Sequence, residues 1–432
     1  MNRQITLPYG HRSVIIEVPE ANLAWIDGPK QVPPLPDLKT AVRAAIRNPI
    51  GSPSLAELVA RHGKRTVILV DDGTRSTPQH LILPILLDEL HQAGVGASDV
   101  CIMVALGTHR PMSQAELIGR LGRDIVESVQ VINLPQQPGD FVDLGVTPLG
   151  IPIHVSRRYL ESDISIAVGN IIPHMYAGWA GGAKMVQPGV TSAVTTGRTH
   201  VIAGPRVYET LGEVDNPVRK EMEEIALRSG LKFILNVVLN ADGEVVYVVA
   251  GDAIQAHRAG VEIARPIYTL DVKERADIVI ASSHPADRDL WQGFKAVNNC
   301  GMLVKDGGTL ILLIPAAEGI APDHQQLVEF GTTPGEQVLQ MVKDGKVADE
   351  VAAATYLAFD RTRRRVDVSL VTDGISNSEA RKIGLTATRG LPDALDAALA
   401  RQGGSSRIGV VTAGADILAR LPGVCAEAPA AA

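Results

Sequence analysis

Cysteine is nearly missing from this chain of 432 residues: only Cys101, Cys300 and Cys425 occur, and none stands at a metal-ligand spacing from another. That excludes a disulfide framework and a cysteine-based zinc site. Aromatic residues are scarce at 3%, so the core must be built mainly from Val, Ile, Leu and Ala. No apolar run of 18 residues occurs and no charged-then-apolar leader opens the sequence. Membrane insertion and secretion are therefore not expected, and the expected location is the cytoplasm. Positive charge is not in excess either. A net charge of −7 speaks against a nucleic-acid partner, which requires clustered Lys and Arg. The one basic run, Arg361–Arg365, reads as a solvated face.

What is present is an alternation of short Val- and Ile-rich runs with helical stretches. RTVILVDD (Arg65–Asp72), VCIMVAL (Val100–Leu106) and DISIAV (Asp163–Val168) read as buried strands. Pro78 opens a helix with Leu81, Ile82, Ile85, Leu86 and Leu90 on one side, and Ser113 with Glu116 makes a capping box. Phe233–Leu239 and Glu244–Val249 flank an NADG turn and read as a hairpin, followed by a helix over Asp252–Ala264. The pattern restarts with strands at Ala276–Ser282, Gly308–Ile314, Val366–Val371 and Ile408–Thr412, and with helices at Asp289–Val297 and Leu391–Arg401. The expected fold is two α/β domains, residues 1–265 and 266–432, with mostly parallel sheets and a cleft between them.

Ligands of such sheets collect beyond the carboxyl ends of the strands, which singles out certain polar clusters. DDGTRSTP (Asp71–Pro78) suits either an anion, gripped by Arg75, or plain helix capping. GTHRP (Gly107–Pro111) puts His109 just after a strand, as a base or as a solvated loop histidine. In PHMYAGWAGGAKMVQPG (Pro173–Gly189), Gly178, Gly181 and Gly182 free the backbone to approach a ligand, and Lys184 follows at once. This is no P-loop, because Met185 stands where Ser or Thr is needed. His200, in TTGRTH, has no histidine at the spacing of a zinc site, so any metal on it needs ligands from elsewhere. In HPADRDLWQGFKAV, Gln292 and Lys295 share one helix face beside Trp291 and Phe294.

DDxTR, GTHRP, PHxxxGxxGGxK, TxGRTH and LWQxxK, in this order over both halves, resemble the nickel-pincer-nucleotide lactate racemase family. GDAIQAH (Gly251–His257) and VKDGGTLILL (Val304–Leu313) extend the resemblance over most of the chain. It implies an isomerase, a racemase or epimerase of 2-hydroxy acids working by proton-coupled hydride transfer. The implied cofactor is pyridinium-3-thioamide-5-thiocarboxylic acid mononucleotide with nickel, supplied by cofactor-synthesis enzymes. Lys184 resembles the lysine that holds it, with Asp72, Thr74, Gly181 and Gly182 around it, and His200 resembles the protein ligand of nickel. His109 and His174 match the acid/base pair, while Arg75, Gln292 and Lys295 match substrate-binding positions. Two departures, Trp291 in place of Tyr and His284-Pro285 in place of a glycine-rich turn, leave the substrate open between lactate, malate and a sugar acid. His284 and Arg288 are the candidates for a second carboxylate or a polyol chain. An NAD-dependent dehydrogenase is a rival reading, but no G-x-G-x-x-G follows a strand; a non-enzymatic anion-binding protein leaves the two histidines unexplained.

Overall fold

Two six-stranded sheets covered by helices organise the chain in a computed structural model that describes residues 2–134, 137–419 and 421. Cys425 and the tail from Ala426 lie outside the described residues. The first sheet runs in the order Val245–Gly251, Phe233–Leu239, Ile164–Asn170, Thr66–Val70, Val100–Val104, Gln130–Ile132. Only the pair joined by the Asn240–Gly243 turn is antiparallel. Asn240 Oδ1 shapes that turn by accepting the N–H groups of Asp242 and Glu244 at 3.0 and 2.9 Å. Thr66–Val70 and Ile164–Asn170 are buried along their whole length, which is why each reads as an unbroken apolar run.

Strand order reverses between these two central strands. The chain first extends the sheet through Val100–Val104 and Gln130–Ile132, then returns to the opposite side of Thr66–Val70. A crevice opens beyond the carboxyl ends at such a reversal, and Asp71, Asp72 and Asn170 stand at its rim. The second sheet, in the order Thr386–Thr388, Asp367–Val371, Val304–Leu313, Ala276–Ser282, Ile408–Val411, Leu23–Asp27, is parallel throughout. Its reversal lies beside Ala276–Ser282, and the next helix, Leu290–Gly301, brings Gln292 and Lys295 to that point.

Four features depart from the sequence reading. The first 27 residues do not join the first body: Leu23–Asp27 is the edge strand of the second sheet. The hairpin Asn2–Tyr9/Arg12–Pro19 lays Ile5, Leu7, Ile16 and Val18 on the apolar face of Ile278, Ile280, Ile311 and Leu313. The helix expected to stop before Pro266 runs over Gln255–Tyr268; burial of Ile267 and Tyr268 offsets the one hydrogen bond that Pro266 cannot make. Leu81, placed on the buried side of its helix, is exposed, while the rest of that set is buried. His200 is buried in the helix Ala193–Ala203. That helix packs on another not expected from the pattern, Glu350–Arg363, in which buried residues fall on every side.

Candidate active site

The two crevices open into one cavity with an empty volume of about 890 Å³, mouth included. The first body lines it with Asp72, Thr74, Arg75, His109, His174 and Lys184, and the second with Trp291, Gln292 and Lys295. His200 and Gly181 also line it.

The paired carboxylates after the first central strand have different jobs. Asp71 is a buried anchor: Thr77 donates to it at 2.5 Å, Gln79 at 3.1 Å, and Arg120 forms an ion pair with it. Its partners hold the turn, so the hydroxyl of Thr77 is not free for an anion. Asp72 instead turns to the cavity. Its Oδ1 accepts from the N–H and hydroxyl of Thr74 at 2.9 and 2.6 Å, and its Oδ2 lies 2.6 Å from His109 Nδ1. Burial opposes the charge of Asp72, but His109, Arg75 and Thr74 outweigh it and hold the carboxyl far below its usual range. An ionised carboxylate only accepts, so His109 Nδ1 donates and Nε2 keeps its lone pair. Gln292 Nε2, 3.3 Å from that lone pair, donates to it, and Gln292 Oε1 accepts from Lys295 at 2.6 Å. Asp72, His109, Gln292 and Lys295 thus form one chain of hydrogen bonds across the cleft.

His174 has the opposite polarity. Its Nδ1 accepts the backbone N–H groups of Tyr176 and Ala177 at 3.2 and 3.3 Å, so in the neutral ring the proton sits on Nε2. Burial, and then the charges of Lys184, Arg75 and Lys295, depress its pKa well below the ordinary value. Burial and the neighbouring cations Arg75 and Lys295 likewise lower Lys184, leaving an amine ready to act as a nucleophile. Burial also pulls Lys295 down, with Arg75 as the next cause. His200 is pushed down to about 3 by burial and by Lys184, and its Nδ1 lies 3.2 Å from Thr199 Oγ1. Thr199 Oγ1 gives its own proton to the Thr195 or Thr196 carbonyl, so His200 Nδ1 donates to it and Nε2 carries an unshared pair in the neutral ring. The edge of Tyr176 meets the His200 ring at 4.8 Å between centroids.

The glycine pair is a matter of space as well as conformation. Gly181 and Gly182 have φ of +77° and +57°, and a Cβ on either would lie 2.8 Å from Asn236 Oδ1 or from a nitrogen of Arg219, respectively. Gly182 lies behind the cavity wall, and its N–H is taken by Asn236 Oδ1 at 2.8 Å. His284 and Arg288 are also outside the cavity. Arg288 is held by Asp289 at 2.9 Å and Glu318 at 3.4 Å, and His284 borders a separate cavity with Asp416. Neither is in place to meet a second carboxylate of a ligand.

Residues 9–208 match the lactate racemase N-terminal domain and residues 272–419 the lactate racemase C-terminal domain. The chain belongs to the lactate racemase family. A lactate racemase of Thermoanaerobacterium thermosaccharolyticum is 29% identical over 96% of this chain and 99% of its own length. One from Lactiplantibacillus plantarum is 28% identical with the same coverage. The structure of the lactate racemase apoprotein from T. thermosaccharolyticum superposes with a TM-score of 0.85, at 28% identity, covering 97% of this chain and all of that one. A Thermotoga maritima protein of 22% identity shares the fold, with a TM-score of 0.67 over 85% of this chain and 96% of its own.

In this member of the lactate racemase family the cavity also recruits Thr108, Tyr176 and Thr196, which lie inside the quoted motifs without having been assigned a role, and Asn170 and Thr355, which lie outside them. Asn170 is 2% exposed and neither atom of its amide has a partner. Its place at the end of DISIAVGN was the available signal. Thr355 had none, since it comes from a helix distant in sequence; it lines the cavity and accepts the Tyr176 hydroxyl at 3.3 Å.

Proposed function

We propose that this chain interconverts the enantiomers of a 2-hydroxy acid, lactate or a close analogue, with a nickel-pincer nucleotide attached at Lys184 and ligated by His200. The observation that carries the reading is the pair of histidines of opposite proton polarity in one cavity, His109 as acceptor and His174 as donor, beside Arg75, Lys184 and Lys295. Among the described residues that line the cavity, Asp71 is paired to Arg120 and Asp72 is bound to Thr74 and His109, so Arg75 and Lys295 are left to meet a carboxylate ligand.

The residues fit the cofactor. Among the described residues no three His, Cys, Asp or Glu side chains gather as a metal cluster, so a metal held by His200 would take its other ligands from the cofactor. Lys184 offers a depressed amine for covalent attachment, and the unpartnered amide of Asn170 leaves both a donor and an acceptor for a polar ligand. Held by Lys184 and His200, the group would supply a hydride-accepting carbon. The protein does the rest. Arg75 and Lys295 hold the carboxylate, and His109 Nε2 takes the hydroxyl proton with Asp72 steadying the imidazolium. His174 serves the other face. Two of the cations that depress it, Arg75 and Lys295, are those a substrate carboxylate compensates, and attachment at Lys184 removes the third, so loading raises its basicity toward the useful range. The working setting we assign is the cytoplasm, with cofactor-synthesis enzymes as partners and neither nucleic acid nor membrane; among the described residues no helix is long and apolar enough to cross a bilayer.

The test is a panel of chiral 2-hydroxy acids, including lactate, malate and aldonates, given to protein matured with the cofactor-synthesis enzymes. Racemisation of lactate or a neutral analogue, with nickel at one equivalent, is the expected result. Nickel-free protein that racemises equally well, or loaded protein inert on the whole panel, overturns the reading.

A further inference from the structure

A fourth histidine lies behind two residues of the cavity wall, Trp291 and Thr108, and has no part in the mechanism above. His324 is 6% exposed and stacks on Trp291, with ring centroids 4.0 Å apart and planes 19° apart. Its Nδ1 lies 2.7 Å from Asp349 Oδ2 and its Nε2 3.1 Å from Thr108 Oγ1. Burial opposes the charge of Asp349, but the contact with His324 outweighs it and lowers the carboxyl. The ionised carboxylate therefore accepts a hydrogen bond from Nδ1–H, and in the neutral ring Nε2 accepts the Thr108 hydroxyl.

Thr108 and His109 are neighbours on a loop of the first body, whereas His324 and Asp349 belong to the second. The other flank of His109 is tied across the same gap. Arg110 Nη2 reaches Glu318 at 2.8 Å, and the Arg110 N–H reaches Asp323 Oδ2 at 3.3 Å. Within the first body Asp72 fixes the His109 ring, and the loop backbone is tied by the Gly107 N–H to Gly189 O and the His109 N–H to Leu106 O, both at 3.0 Å. The Thr108 side chain and the Arg110 flank add the ties to the second body.

We infer that His324 is a positioning residue for His109: clamped by Asp349 and stacked on Trp291, it holds the Thr108 hydroxyl and so sets the loop that presents His109 to the cavity. The kinetic arm of its test rests on the racemase reading, while the exchange arm does not. Thr108→Val keeps the shape and removes the hydroxyl, Thr108→Ser restores it, and His324→Gln removes the imidazole. In matured enzyme Thr108→Val and His324→Gln should lower kcat by roughly 10–100-fold, the scale of a misplaced reacting group, with KM little changed. The solvent deuterium isotope effect on kcat should rise, because proton transfer to His109 becomes limiting. Thr108→Ser should recover the wild-type kcat, and the double variant should be no worse than the weaker single, since both break one clamp. In the unloaded protein, hydrogen exchange of the segment 107–112 should quicken several-fold in Thr108→Val and His324→Gln but not in Thr108→Ser. Unchanged exchange in both variants overturns the clamp whatever the activity. Quickened exchange with wild-type kcat overturns the positioning role, and a wild type inert on 2-hydroxy acids overturns the functional reading without touching the exchange result.

Discussion

At the scale of single residues, the two histidines and Lys184 carry the sharpest expectations. His109→Asn and His174→Gln should each cost about 10²–10⁴-fold in kcat, the usual worth of a general acid or base, and in both directions of the reaction. Because the histidines handle the hydroxyl proton and not the carbon-bound hydrogen, α-deuterated substrate should give racemised product that keeps its label. Loss of the deuterium to water would falsify that division of labour. Lys184→Ala should lack the mass adduct seen in matured wild type, and an adduct persisting in the variant would move the attachment elsewhere. His200 also predicts a pH dependence of stability. Its pKa in the fold, pushed down to about 3, lies below the ordinary histidine value of 6.5, so between these values the unfolded chain holds more protons. The stability associated with the neutral ring is complete above pH 6.5 and is lost as pH falls toward 3. Unloaded protein should thus show a Tm that drops from about pH 7 to about pH 5, and His200→Gln should flatten the slope. Parallel slopes in the two proteins would count against this assignment.

At the scale of the element, the helix Leu290–Gly301 shows how a cap becomes part of a site. Asp289 Oδ1 accepts the N–H of Gln292 at 2.7 Å, and the other oxygen holds Arg288 at 2.9 Å. The cap therefore fixes the first turn, which carries Gln292, with Lys295 one turn further. Asp289→Ala should cost about 0.5–2 kcal/mol of stability, the worth of an N-cap, read as a lower denaturant midpoint. The same variant should raise KM for the 2-hydroxy acid more than it lowers kcat, and Asp289→Asn should restore much of the cap. A lowered midpoint with unchanged KM would leave the cap a purely structural role. The capping box predicted at Ser113 and Glu116 forms as the sequence indicates, with Glu116 also engaging Arg110 at 3.0 Å. Local chemistry of this kind is legible because cap and partner are three residues apart.

At the scale of the whole molecule, the N-terminal segment belongs to the far end of the chain. Removing residues 2–27 would strip the edge strand beside Ile408–Val411 and uncover Ile278, Ile280, Ile311 and Leu313. The truncated protein should bind a hydrophobic dye and lose its cooperative thermal transition, whereas full-length protein should do neither. A truncated chain with the wild-type Tm would show that the segment is dispensable packing. The cleft has the same long-range character, since Asp72 and His109 reach Lys295 only through Gln292 of the other body.

Short stretches of chain were enough to set the α/β class, most of the strands, the capping box at Ser113 and the strand-end polar clusters. Each of these depends on residues a few positions apart: unbroken Val and Ile runs, Ser with Glu at three residues, a turn carrying Asn and Gly. Only the tertiary structure decided that Asp71 is an anchor and Asp72 the partner of His109, since the two differ in what lies across from them and not in their neighbours. It likewise put His200 inside a helix, turned His284 and Arg288 away from the cavity, and joined Asp349, His324 and Thr108. Positions 108, 324 and 349 share no periodicity, so their meeting is a property of how two sheets dock. Docking is set by the apolar faces as a whole, and no short stretch of chain records it.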